Sequence, residues 1–243
     1  MNQEKEQPTT KNEKRRTKNL CIIPARGGSK RIPRKNIKDF LGKPIIAYSI
    51  EVALESGLFD EVMVSTDDKE IAEVATSYGA KVPFMRSKEA SNDFATLADV
   101  IDDVKASYKA INKSFDYICC ILPTAPFVTV RMLNEGYKYL KESGADSVKP
   151  IVRFSYPIQR AIRINKDGLL EMIQSEHAKT RSQDLETAYH DAGLFYWMNF
   201  VKGMKGVRKS GFEIPESQVQ DIDTEEDWQI AEFKYQFNTN KDT

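Results

Sequence analysis

Two glycines and five cations follow a single short apolar run. Leu20 to Ile23 reads as a buried strand, and it empties through Pro24 and Ala25 into Arg26, Gly27, Gly28, Ser29, Lys30 and Arg31, then Arg34, Lys35 and Asn36. In α/β proteins, ligands bind beyond the carboxyl ends of the strands. Glycines there let backbone N–H groups approach an anion, while lysine and arginine supply charge. The anion that suits this loop is a polyphosphate. The spacing is neither Gly-x4-Gly-Lys-Ser/Thr nor Gly-x-Gly-x-x-Gly, so neither standard nucleotide loop is present. A solvated basic turn is the bland alternative, and the two glycines at a strand exit weigh against it.

The second constellation is Asp221-Ile222-Asp223. In extended chain, residues i and i+2 point to the same side, so both carboxylates can converge on one cation. Alone, the pair reads first as a cap for a helix starting at Thr224. Beside a polyphosphate loop it reads as a Mg2+ site, because Mg2+ takes one or two carboxylates and completes its shell with phosphate oxygens and water. The third is Lys179 to Asp184, with Arg181 and Gln183, followed by Tyr189-His190-Asp191. An arginine in such a segment can hold a carboxylate bidentately. His190 is one of two histidines, and a lone histidine is more often structural. Asp67-Asp68 could bind metal, but Asp67 and Glu70 have the spacing of a helix cap. No Gly-x-Ser-x-Gly or His-Glu-x-x-His is present. That fits an enzyme that positions two substrates and neutralises charge while a substrate hydroxyl attacks.

The elements that must hold these groups follow an α/β rhythm. Apolar residues at helical spacing run from Ile45 to Leu54 and stop near Gly57; Glu61 to Ser65 is a second strand; a helix opens after Thr66 and closes at Gly79; Lys81 to Met85 is a third strand. A helix near Thr96–Ala110, a strand over Phe115–Leu122, a helix over Val130–Ser143 and a strand over Asp146–Ile151 continue the series. Alternation of this kind means a largely parallel sheet with helices on both faces. Residues 152–190 break the pattern: Ala161–Ile164 and Leu169–Ile173 flank an Asp-Gly turn, a hairpin signal, so this stretch is predicted to leave the sheet as an arm. Ala192 to Trp197 returns as an apolar strand, and Thr224–Phe237 is a helix with Thr224 and Asp227 at capping-box spacing.

The chain has 243 residues, with 36 basic and 36 acidic side chains. It suits one domain, and its overall charge points to neither nucleic acid nor an anionic membrane. Residues 1–18 carry six Lys/Arg against three Asp/Glu and read as a disordered extension before a domain over 19–240. The body is therefore mildly acidic, and its basic loop is a local feature. Cys21, Cys119 and Cys120 lie in apolar runs, the last two facing opposite sides of one strand, as reduced core residues of a cytoplasmic protein do. No run of 18 apolar residues exists.

Together these segments resemble the CMP-sugar synthetase (acylneuraminate cytidylyltransferase) family. The resemblance is carried by Pro24 to Lys30 with Pro33 to Asn36, then Gly42-Lys43-Pro44, Val64 to Asp67, Arg181 to Asp184 and Asp221 to Thr224, in the family's order over about residues 19–237. Ile32-Pro33, Pro123 to Phe127, Pro157 to Ala161 and Tyr189 to Trp197 resemble the branch that activates pseudaminic acid. Leu122 replaces the glutamine typical of the sialic acid enzymes, and Ala192-Gly193 replaces their Asn-Gly. The resemblance implies a Rossmann-like nucleotidyltransferase fold and transfer from CTP to an acidic nine-carbon sugar. N-acetylneuraminate and Kdo are the alternative sugars, and a non-catalytic nucleotide-binding protein is the distant alternative. It implies that Ala25, Arg26, Gly27, Gly28, Ser29, Lys30, Lys35, Asn36 and Arg86 bind nucleotide, with Arg26, Lys30, Asp221 and Asp223 catalytic. Asp221 and Asp223 would hold Mg2+. Gln159, Arg160, Arg181, Gln183 and His190 would meet the sugar, and the arm would join two copies as a homodimer.

Overall fold

The structure is a computed structural model and describes residues 16–239. In chain order the elements are β1 (Asn19–Pro24), β2 (Asp39–Phe40), β3 (Lys43–Pro44), α1 (Ile45–Glu55), β4 (Glu61–Ser65), α2 (Lys69–Ser77), α3 (Leu97–Ala110), β5 (Tyr117–Ile121), α4 (Val130–Ser143), β6 (Ser147–Arg153), β7 (Ile162–Ile164), β8 (Leu170–Met172), β9 (Tyr189–Asp191), β10 (Phe195–Asn199), β11 (Lys209–Glu213) and α5 (Glu225–Thr239).

The main sheet has seven strands. Six lie in the order β11-β6-β10-β5-β1-β4, and β9 pairs with β6 beyond that path. β4, β1 and β5 are mutually parallel, and β11 is parallel to β6; β10 runs antiparallel to both β5 and β6, and β9 antiparallel to β6. The fold is therefore the expected Rossmann-like α/β type, with a mixed sheet in which five strands share one direction. Period-two alternation sorts the core. Cys21, Ile23, Val64, Cys119 and Ile121 face the helices α1, α2, α4 and α5, whereas Leu20, Ile22, Met63, Ile118 and Cys120 face α3. Cys119 and Cys120 thus point to opposite faces, and burial pushes their thiols up.

The helix ends follow local chemistry. Thr96 and Asp99 form a reciprocal capping box on α3, and Thr224 and Asp227 do the same for α5, with bonds of 2.8 and 3.2 Å. The predicted arm is a separate two-stranded hairpin, β7–β8. Gly168 of its turn has φ +77°, which the Asp-Gly pair supplies without strain.

Three expectations need correction. Lys81–Met85 is not a strand: only Lys81 bridges β4, with its N–H on Val62 O and its C=O taking the Val64 N–H. Pro83 has no N–H to carry the ladder on. β9 and β11 were not expected, since three exposed residues in one and a glycine in the other give little strand signal. The boundary of the N-terminal extension also moves. Residues 1–15 lie outside the described residues, but Lys18 N–H donates to Asp116 Oδ2 at 2.8 Å and its carbonyl accepts the Asp116 N–H at 2.7 Å.

Candidate active site

At the end of β1 the chain is stitched to β4, Ala25 N–H donating to Ser65 O at 2.9 Å. Gly27 N–H donates to Asp67 Oδ1 at 3.0 Å, and Ser29 N–H to Gly27 O at 3.1 Å. A Cβ on Gly27 would stand 2.6 Å from an Asp68 carboxylate oxygen, closer than real Cβ contacts, so any side chain there would have to displace the Asp68 carboxylate. Gly28 has open space around it. Its amide and that of Lys30 have no hydrogen-bond partner among the described residues, which leaves both for an anion. Ile32 is fully buried and pins the far side of the loop. Asn36 is buried and donates Nδ2 to Arg26 O at 2.9 Å, closing the loop on itself.

Arg34 holds the left-handed conformation, φ 56°. Its guanidinium grips Asp68 at 2.5 and 3.0 Å and Glu70 at 2.5 Å. The Arg34 bond holds the Asp68 carboxyl down at about 2. Asp68 also caps α2 by accepting the Ile71 N–H at 3.0 Å. The expected cap was Asp67. The structure gives that role to Asp68 and spends Asp67 on the Gly27 amide, because the helix begins one residue later than its spacing implied.

The loop borders a cleft of about 590 Å3, lined by Arg26, Ser29, Lys30, Arg31, Lys35 and Asn36, by Leu122, Pro123 and Thr124 beyond β5, and by Asp93 and Asp221. It sits at the carboxyl ends of β1 and β5. β1 lies between β4, reached through α1, and β5, so the cleft marks the point where the strand order reverses. Asp223 accepts from Arg31 at 2.8 Å and lies 3.5 Å from Lys35 Nζ, which also donates to Ile222 O at 2.6 Å. Ile222 is buried between the two aspartates, as the i, i+2 reading requires. The Asp221 carboxylate faces the cleft with no ion pair among the described residues. No group of three or more His, Cys, Asp or Glu able to hold a metal is found among the described residues. Asp221 faces the cleft while Asp223 is engaged by Arg31 and Lys35; carboxylates of this kind are donors that Mg2+ accepts beside phosphate and water.

Other predicted residues fall elsewhere. Arg86 does not line the cleft. It is buried, with Nε on Ser65 Oγ at 3.0 Å and a second bond to Ser65 O; burial lowers its pKa while Asp67 and Asp103 oppose that shift. It braces the end of β4 beneath the loop. Gln159, Arg160, Arg181, Gln183 and His190 also stay out of this chain's own cleft. Gln159 donates to Glu186 O at 3.0 Å, Arg160 to Thr180 O at 2.9 Å, and Arg181 pairs with Asp184 at 3.0 Å. Gln183 is exposed, and His190 packs on Phe154 at 4.9 Å where β9 joins β6. The Gln159 Oε1 atom is buried without a partner.

One cleft residue escaped the sequence reading. Asp93 lies 3.2 Å from Arg26 and 2.6 Å from Lys30, and those cations, Lys30 foremost, lower its pKa. It sits in a polar stretch before α3 that reads as an ordinary loop; its acidity opposite a basic loop was the available signal.

The family model described as Cytidylyltransferase matches residues 20–212. The chain is 46% identical over 227 residues to the pseudaminic acid cytidylyltransferase of Campylobacter jejuni, covering 91% of this chain and 97% of that protein. It is 34% identical over 230 residues to N-acylneuraminate cytidylyltransferase A of Danio rerio, covering 92% of this chain and 52% of the fish protein. Among solved structures, CMP:2-keto-3-deoxy-manno-octonic acid synthetase complexed with CTP superposes with a TM-score of 0.65 at 18% identity, covering 92% of this chain and 100% of that one. That likeness is one of fold. On these sequence matches the chain belongs to the cytidylyltransferase family.

Proposed function

We propose that the chain transfers the cytidylyl group of CTP to an acidic nine-carbon sugar, pseudaminic acid. The observation that carries this is the free Gly28 and Lys30 amides beside Arg26 and Ser29, facing Asp221 across one cleft at the sheet's reversal point. The near-full-length similarity to a pseudaminic acid enzyme supports the choice of sugar. The anomeric hydroxyl of the sugar gives up its proton to solvent as its oxygen bonds to the α-phosphorus of CTP, the bond from that phosphorus to the bridging oxygen breaks, and pyrophosphate leaves. Arg26, Ser29, Lys30 and the loop amides bind the triphosphate and offset charge as it moves to the leaving group. Lys35 and Asn36 keep the loop in register with Asp223 and Arg26. Asp221 and Asp223 would hold Mg2+, which supplies charge neutralisation at the phosphoryl oxygens.

The sugar carboxylate needs its own cation. We assign Arg181, with Gln183, delivered by the arm of a second copy in a homodimer. Support comes from the arm's exposed apolar side chains, Ile162, Ile164 and Leu170, each more than half exposed, and from the fact that its polar residues do not line their own chain's cleft. Cytoplasmic residence accords with three buried, unbridged cysteines.

The test is pyrophosphate release from CTP and Mg2+ with pseudaminic acid, N-acetylneuraminate and Kdo in parallel. Release with pseudaminic acid alone is expected. Release with another sugar only would move the substrate, and silence with all three from folded protein would overturn the reading. Arg26→Ala and Asp223→Ala should each abolish release with the melting temperature retained.

A further inference from the structure

The cations of the loop are shared between two carboxylates: Asp93 takes Arg26 and Lys30, and Asp223 takes Arg31 and Lys35. The second group matters more, because Asp223 is also one of the two carboxylates proposed to hold Mg2+. Arg31 Nη2 and Lys35 Nζ both meet Asp223 Oδ1, at 2.8 and 3.5 Å. A dication approaching that carboxylate therefore meets two positive charges beside it, and like charges a few ångströms apart repel. Asp221 faces the same cleft with no ion pair among the described residues. Two residues apart, the two carboxylates differ in their availability to a metal.

The two cations on Asp223 are not equivalent. Lys35 is 20% exposed and also donates to Ile222 O at 2.6 Å, so it is built into the joint between the loop and α5. Arg31 is 66% exposed, lines the cleft beside Lys30, and has Asp223 as its one ion-pair partner among the described residues. Its neighbour Ile32 is fully buried, which anchors the backbone and leaves the long side chain free to turn. The Asp223 backbone is fixed as well, its N–H donating to Asp227 Oδ2 at 3.1 Å. A triphosphate in this cleft would offer Arg31 several anionic oxygens in place of one shared carboxylate oxygen, and a guanidinium binds phosphate bidentately. An ion pair as exposed as this one is weak, so little opposes its exchange.

We propose that Arg31 exchanges partners: it holds Asp223 until CTP arrives, then passes to the triphosphate and leaves Asp223 to the metal. Arg31 thereby couples the two halves of the site, and by linkage the nucleotide and the metal each favour binding of the other to the protein. This rests on the proposed use of CTP and on the assignment of Asp221 and Asp223 as metal ligands. The competing role is a fixed clamp, in which Arg31 only fastens the loop to the start of α5.

The experiment compares wild type, Arg31→Gln, Arg31→Lys and the double variant Arg31→Gln with Asp223→Asn. CTP chelates metal by itself, so the two halves are read separately. Mn2+, the probe for Mg2+, is titrated into protein without nucleotide and followed by the paramagnetic resonance of the free ion. CTP is titrated in EDTA by calorimetry, and melting temperatures are recorded. Arg31→Gln should tighten Mn2+ binding by about three- to fivefold and weaken CTP binding by about tenfold. Opposite shifts of this kind are not what a clamp would give. The Mn2+ gain should vanish in the double variant, and Arg31→Lys should stay near wild type in both titrations. Unchanged or weaker Mn2+ binding in Arg31→Gln would overturn the proposal, as would a gain that survives Asp223→Asn. Unchanged CTP affinity would overturn it too, and a fall in both affinities that tracks the melting temperature would identify the clamp. A folded wild type that binds no CTP would instead overturn the transfer reading on which the exchange depends.

Discussion

Asp68 ties the end of β4, the start of α2 and the basic loop into one unit, so its removal has a size that can be worked out. Its carboxylate caps α2 and takes two bonds from Arg34. Losing an N-cap costs about 1 kcal/mol. A carboxyl held at about 2 against an ordinary 3.8 corresponds to roughly 2.5 kcal/mol before screening, at ~1.4 kcal/mol per pH unit. Arg34 is 38% exposed and Asp68 23%, so screening reduces the ion pair to about 1 kcal/mol. Asp68→Asn keeps the cap and loses the charge, so it should cost about 1 kcal/mol; Asp68→Ala loses both and should cost about 2 kcal/mol. The sign with pH follows from the depressed carboxyl. Its contribution is fully present above the unfolded value near 3.8 and is lost as pH falls through about 2. The gap between wild type and Asp68→Asn should therefore close between about pH 4 and pH 2. Urea unfolding followed by the fluorescence of Trp197 and Trp228, both buried, reads these values. Identical costs for Asn and Ala, or a gap that persists unchanged at pH 2, would refute the assignment. Because Arg34 anchors the loop, both variants should also raise the KM for CTP.

Further outcomes follow from other contacts. Gly136→Ala in α4 would set a methyl 3.0 Å from Trp197 and 3.1 Å from Phe195, an overpacking expected to destabilise by about 1–3 kcal/mol with kinetics preserved; denaturant melts and steady-state rates check both halves. Asp93→Asn frees Arg26 and Lys30 of their carboxylate partner and should lower the KM for CTP, whereas a higher KM would mean that Asp93 helps to shape the occupied site. Ile164→Asp combined with Leu170→Asp places charge on the arm's exposed apolar residues and should yield monomers in sedimentation with greatly reduced turnover; an intact, active dimer would reject the arm as the joint.

What the sequence determined by itself is local. Apolar runs, turn glycines and capping pairs act over a few residues, so the helices at Ile45–Glu55 and Val130–Ser143, the Asp-Gly hairpin, the Thr224–Asp227 box and the opposed faces of Cys119 and Cys120 were all legible. The loop from Pro24 to Asn36 was legible as a basic turn at a strand exit for the same reason: its glycines, its cations and the end of β1 are contiguous. Tertiary structure alone decided what depends on distant partners. Lys81–Met85 has strand composition, but a single bridge to β4 is all its neighbours and Pro83 allow. β9 and β11 are strands because β6 offers each an edge. Asp93 meets Arg26 and Lys30 across more than sixty residues, Arg86 is drawn beneath the loop by Ser65, and Asp67 and Asp68 divide the tasks of holding Gly27 and capping α2. Arg31 and Lys35 reach Asp223 only because the loop folds back on the segment before α5. In each case side chains far apart in sequence compete for one partner, and only the folded geometry determines which of them reaches it.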